Sequence, residues 1–109
     1  MVVTVAEAQL CGRLSTSDWR CDPVSSPVNR GSLFFYTRVR ASSNTTVEHR
    51  WYRDDRLRKS VELGIQASPG SGYRTYSRHT LNAENTGNWR VELRTRDGVL
   101  LHEERFVAR

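Results

Sequence analysis

No stretch of this sequence approaches the run of about 20 apolar residues that a membrane-crossing helix needs. The N-terminus also lacks a basic segment followed by a hydrophobic run, so neither a membrane span nor a secretory leader is expected in it. Cysteine is nearly absent: Cys11 and Cys21 are too few, and spaced too unlike paired C-x-x-C arrays, to suggest a zinc site. Lysine is reduced to Lys59, although 17 side chains are Lys or Arg against 12 Asp or Glu. The net charge of +5 is therefore carried almost wholly by guanidinium groups. Such groups suit carboxylates and phosphates and stack on aromatic rings, but they also serve as ordinary solvated strand faces. Sustained helical periodicity with caps is missing too, which excludes a substantial α content.

What is present is a chain of 109 residues, 37% hydrophobic and 27% charged, the composition of an ordinary globular protein. That length predicts one domain over residues 1–109 with a single core. Short β-favouring runs separated by turn chemistry recur along it. Val2 to Leu10 reads as a first strand, and Gly12 to Ser32, with Pro23, Pro27, serines and Asn29, as a long surface loop tied down by the cysteines. Leu33 to Arg40 is a central strand candidate. Next, Val47, His49 and Trp51 alternate with Glu48, Arg50 and Tyr52, and Asp54-Asp55 supplies a turn.

From Leu57, the odd positions Val61, Leu63 and Ile65 form an apolar face, broken by Pro69-Gly70-Ser71-Gly72. Tyr73 to Thr80 puts Tyr73, Thr75 and Ser77 on one side and Arg74, Tyr76 and Arg78 on the other. Finally Trp89, Val91 and Leu93 point inward and Arg90, Glu92 and Arg94 outward, with Asp97-Gly98 turning the chain into Val99 to Val107. Seven short strands with regular turn signals predict an all-β, antiparallel, immunoglobulin-like sandwich, with a small β-barrel as the alternative.

The ten-residue separation of Cys11 and Cys21 suits a disulfide closing a small loop, with free thiols the alternative. A disulfide implies an oxidising, periplasmic or other extracytoplasmic compartment. Trp19, between the cysteines, either caps one end of the core or is displayed as a ligand contact, and capping is the expected role because exposed tryptophan is costly.

The phrases His49-Arg50-Trp51-Tyr52, Tyr73-Arg74-Thr75-Tyr76-Ser77 and Gly87-Asn88-Trp89-Arg90-Val91-Glu92-Leu93 are followed by Asp97-Gly98 and Glu104-Arg105-Phe106-Val107. In this order they resemble the bacterial family called domain of unknown function 2914, from about Ala6 to Val107. The resemblance implies an accessory module of a bacterial protein. Tyr76 stands where the family pattern more usually has tryptophan.

Chemistry-bearing motifs are few. His49, His79 and His102 fall on separate strands or strand ends with no H-E-x-x-H spacing, so metal ligation is not expected, and His49 reads as a packed core histidine with one hydrogen bond. Asp54-Asp55 and Glu103-Glu104 are adjacent, and strand neighbours point to opposite faces, so neither pair suits a catalytic dyad. Gly70-Ser71-Gly72 lacks the lysine and helix of a phosphate loop, and no G-x-S-x-G elbow exists. No enzymatic activity and no cofactor are expected. Basic and aromatic residues interleave as in single-strand binders, but no helix-turn-helix or RNP1 octapeptide occurs and acidic residues share the same strands, so nucleic acid is not favoured.

The expected ligand-binding residues are Arg74, Tyr76 and Arg78, with Arg38 and Arg90 as neighbours and Trp19 as a further contact. Such a face suits an anionic polymer or a glycan. A structural or protein-interaction domain, paired with a neighbour or a second copy, explains the same residues by cross-strand Arg and Glu pairing.

Overall fold

The computed structural model describes residues 2–109. Among them every regular element is a strand: β1 Val3–Ser15, β2 Arg20–Pro23, β3 Gly31–Ala41, β4 Thr45–Arg53, β5 Arg56–Ile65, β6 Tyr73–Leu81, β7 Gly87–Thr95 and β8 Leu100–Ala108. They form two four-stranded sheets, ordered β2-β1-β3-β6 and β5-β4-β7-β8, and all pairings between strands are antiparallel. The sheets stack face to face as a β-sandwich, and neither closes into a barrel. With β2 set aside, the remaining seven strands follow an immunoglobulin-like order in which β5 pairs with β4 instead of with β6.

The expected loop from Gly12 to Ser32 is where the sequence reading fails. β1 runs on through Cys11 to Ser15, turns, and returns as β2, so the structure has eight strands where the turn spacing predicts seven. Trp19 takes a positive φ of 55° in this turn, and the Asp18 carboxylate accepts the Arg20 N–H at 3.2 Å. Turn-forming composition concealed a four-residue edge strand, which holds its place through pairing and a cross-link more than through propensity. That cross-link is the Cys11–Cys21 disulfide, with Cα atoms 5.4 Å apart.

The other turns behave as their residues demand. Asp54 and Asp55 both have positive φ, 49° and 64°, which a two-residue hairpin requires and aspartate tolerates. Leu57 departs from the apolar face of β5: a bulge pairs Tyr52 with Leu57, and the leucine is left 53% exposed.

Alternation fills the gap between the sheets. Leu33, Phe35 and Val39 from β3 meet Val47, Trp51 and Leu93 from β4 and β7, all buried. Phe35 and Trp51 lie edge to face, centroids 6.5 Å apart at 83°. Trp89 stacks on Phe106 at 6.1 Å, and its indole N–H donates to the Asn85 carbonyl at 2.8 Å.

One polar chain crosses this core. The Trp51 indole N–H donates to Ser77 Oγ at 3.0 Å, and Ser77 Oγ lies 2.7 Å from His49 Nδ1. On the other side of the ring, His49 Nε2 lies 3.0 Å from Thr37 Oγ1, itself 3.2 Å from Thr75 Oγ1. With the Ser77 hydroxyl donating to Nδ1 and the Nε2 proton to Thr37, the Thr37 hydroxyl donates to Thr75 and every proton from Trp51 to Thr37 is used. This direction requires a neutral imidazole. His49 is therefore a packed histidine as expected, but with two hydrogen bonds instead of one.

Two outcomes follow for stability. Burial pushes His49 down from 6.5 to about 3, so the unfolded chain takes up a proton that the folded chain refuses. The stability this confers is complete above pH 6.5 and is lost as pH falls towards about 3. Urea unfolding as a function of pH should show that slope, with a smaller part from His79, which burial also lowers; His49→Gln should flatten it above the carboxylate range. Replacing Cys11 and Cys21 by serine should cost about 2 to 3 kcal/mol in the same assay, the chain-entropy value for a loop this short.

Candidate functional site

β3 is covered on both sides. Its inward residues enter the core, while Phe34, Tyr36 and Arg38 point away from it, on the outer face of the first sheet. Register aligns these with neighbours in three rows: Glu7, Arg38 and Arg74; Gln9, Tyr36 and Tyr76; Cys11, Phe34 and Arg78. The β1–β2 hairpin folds Trp19 over this face. Its ring stacks on Tyr36 at 5.7 Å and 28° and meets Tyr76 edge-on at 6.4 Å, with Phe34 6.1 Å from Tyr76. Trp19 therefore does not cap the core: its hairpin carries it to the opposite side of the sheet.

Polar groups frame the rings. The Tyr36 hydroxyl, almost fully buried, donates to Glu7 Oε1 at 2.9 Å and receives Arg74 Nε at 3.3 Å. Arg38 Nε donates to the same Glu7 oxygen at 3.3 Å. Burial and the Glu7 carboxylate both raise the Tyr36 pKa, so the phenol stays protonated and keeps its donor role. Beside the rings lies a shallow hollow of about 180 Å³ lined by Glu7, Gln9, Trp19, Cys21, Pro23 and Tyr36.

Arg38 and Arg40 are steadied from the flank by the glycine-rich loop. Arg40 Nε donates to the Gly70 carbonyl at 2.8 Å, and Arg38 donates to the Ser71 carbonyl. Gly72, at φ +98°, is required there, because a Cβ would lie 2.9 Å from Arg38 Cγ and 3.1 Å from the Val39 carbonyl oxygen. This loop offers carbonyl acceptors to arginines, the reverse of a phosphate cradle.

Of the residues expected at the site, Trp19, Arg38, Arg74, Tyr76 and Arg78 share this one face, and Tyr76 is 40% exposed on it. Arg90 does not join them. It sits on the outer face of the other sheet, over the Tyr52 ring at 4.1 Å, paired with Asp55 at 2.6 Å and Glu92 at 3.1 Å. Burial raises the Glu92 pKa, but Arg94 and Arg90 outweigh it and hold the carboxylate below its usual range. A cavity of about 580 Å³ opens at the sandwich end beside Arg90, where Asp54, Asp55 and Arg105 help to line it.

Glu7, Gln9, Phe34 and Tyr36 were missed by the sequence reading. A usable signal existed in the uninterrupted run Leu33-Phe34-Phe35-Tyr36, since a strand solvated on one face alternates and this one does not. Among the described residues no group of three or more His, Cys, Asp or Glu could hold a metal ion. His49 and Ser77 lie buried in the core, His79 packs against Trp51 and Trp89, and His102 is 2.9 Å from Glu104 on β8. The arrangement can stack rings and hydrogen-bond hydroxyls or anions. Among the described residues no helix is long and apolar enough to cross a membrane.

No curated protein matches the sequence significantly. Twenty-nine chains of solved structures do match. One is a crystal structure of beta-glucosidase from Kluyveromyces marxianus, with a TM-score of 0.50 and 10% identity, covering 98% of this chain. This chain spans only 14% of that one, and at such identity the likeness concerns the fold alone. The family described as protein of unknown function (DUF2914) matches residues 44–107, which include Arg74, Tyr76 and Arg78 but not Trp19, Tyr36 or Arg38. That match covers more than half of the sequence, and the chain belongs to the DUF2914 family.

Proposed function

We propose that this chain is a non-catalytic accessory module of a bacterial, extracytoplasmic protein, and that it binds a saccharide-bearing ligand on the outer face of β2-β1-β3-β6. One observation carries the reading: three strands and a disulfide-linked hairpin bring Trp19, Tyr36 and Tyr76 together, with the row of Glu7, Arg38 and Arg74 on one side and Phe34 and Arg78 on the other. Sugar rings present C–H faces that stack on aromatics and hydroxyls that pair with carboxylate, amide and guanidinium groups. Tyr76 is exposed and Trp19 half-buried, and a strand face built only for solvation has no use for such rings. The Cys11–Cys21 disulfide supports an oxidising compartment.

A second reading, an interaction domain that pairs with a protein partner or its own copy, is favoured by apolar side chains near the β7–β8 turn. Val99 and Leu100 are 59% and 43% exposed there. Concentration-dependent dimers in light scattering, abolished by Leu100→Ser, would support it.

Trp51 and Trp89 are buried, so quenching of tryptophan fluorescence by added oligosaccharides reports on Trp19. Trp19→Ala combined with Tyr76→Ala should weaken binding by about tenfold or more, while the lost stacking on Tyr36 lowers stability by only about 1 to 2 kcal/mol and leaves unfolding cooperative. Undiminished binding by that variant would reject the face.

A further inference from the structure

The charges on this protein are unevenly neutralised. On the outer face of the second sheet, Arg50 pairs with Glu48, Arg90 and Arg94 with Glu92, and Arg105 with Glu103. Arg56, Arg58 and Lys59 on β5 and Arg74 and Arg78 on β6 differ: among the described residues no carboxylate lies within 4.0 Å of any of them. β5 and β6 are the edge strands of their sheets, and they meet along one open side of the sandwich. Lys59 Nζ reaches across to donate to the Arg78 carbonyl. His79, on β6, is lowered first by burial and then by the Lys59 and Arg58 charges, so these cations converge on the same strand from the facing sheet. The nearest acid on β5, Glu62, pairs in register with Glu48, further along the strand.

We infer that the ligand is a linear polyanion, a saccharide chain with repeated carboxylate or sulfate groups, running from the Trp19 and Tyr76 rings across Arg78 onto Arg58 and Arg56 at the β5 edge. The inference rests on the saccharide reading above and names its charge class. Arg74 and Arg78 are separated by about 13 Å along an extended strand, so one small anion cannot engage both, whereas a chain with regularly spaced charges can. Unpaired guanidinium groups in a row favour such a ligand by fork-shaped hydrogen bonds and counterion release. Glu7, set among the rings, can accept hydrogen bonds from sugar hydroxyls, and its charge is offset by Arg38 at 3.3 Å.

Charged edge strands also serve to prevent sheet-to-sheet association, and the test separates the two roles. Polygalacturonate is titrated against the protein at low and physiological salt, with neutral dextran and oligothymidylate as comparisons. Arg56→Ser, Arg58→Ser and Lys59→Ser together should weaken polygalacturonate binding roughly tenfold and make its salt dependence shallower. Arg56→Lys with Arg58→Lys should keep most of the salt response. Unchanged affinity and salt slope in the serine variant, or new self-association as its only effect, would overturn the inference while leaving the aromatic face standing. If the serine variant loses binding and the Trp19 and Tyr76 variant does not, the edge survives and the aromatic face fails. Tighter binding of oligothymidylate than of polygalacturonate would make the ligand a nucleic acid and overturn the saccharide assignment.

Discussion

The contact of Trp51 with Phe35, and the hydrogen-bonded chain that runs from its indole nitrogen through Ser77 and His49 to Thr37, set the relative position of the two sheets. Burying the polar groups of Trp51, Ser77, His49 and Thr37 between the sheets is tolerable only when each finds its partner, and here the partners come from β3, β4 and β6. A one-residue slip in any of those strands would turn its half of the chain to solvent and bring a guanidinium into the core. Register is therefore specified from inside. Because side chains alternate, the same register dictates which residues stand side by side outside.

That link explains how a surface feature arises from core packing. Once Phe35 and Thr37 are committed inward, Phe34, Tyr36 and Arg38 are committed outward, and antiparallel pairing sets Tyr76 and Arg74 beside them. The hairpin then covers the middle of this outer row. Its disulfide ties β2 to β1 and keeps the positive-φ turn at Trp19 in place, so a ring on a short edge element is held against two tyrosines. The result is a second, smaller aromatic cluster on the solvent side of a sheet, half covered and half open.

Electrostatics divides the two outer faces further. Within the second sheet, β4, β7 and β8 interleave glutamates with Arg50, Arg90, Arg94 and Arg105 and neutralise them locally, as on an ordinary solvated surface. The first sheet has two carboxylates, Asp22 on the β2 edge and Glu7 beside the rings among several cations, and the β5 edge adds Arg56, Arg58 and Lys59 with no carboxylate within 4.0 Å among the described residues. Aromatic surface and unpaired positive charge thus lie on adjoining parts of the molecule, where one elongated ligand can touch both.

Alternation along β4, β6 and β7 was legible because apolar and polar residues there occupy strictly opposite faces, and the β-sandwich followed from the number and spacing of such strands. So did the outward placement of Arg74, Tyr76 and Arg78, which needs nothing beyond a period of two. β2 was not legible: a four-residue strand rich in turn formers is held by pairing and a covalent link, neither of which leaves a periodic trace. Nor was the company that each residue keeps. Arg90 has the same outward pattern as Arg74 but belongs to the other sheet, while Trp19 and Tyr36, seventeen positions apart, lie in contact. The linear order of residues determined which side of its own strand each side chain takes, because that depends on backbone geometry alone. Only the tertiary structure decided which strands share a sheet, and hence which side chains meet, because strand pairing joins segments far apart in the chain.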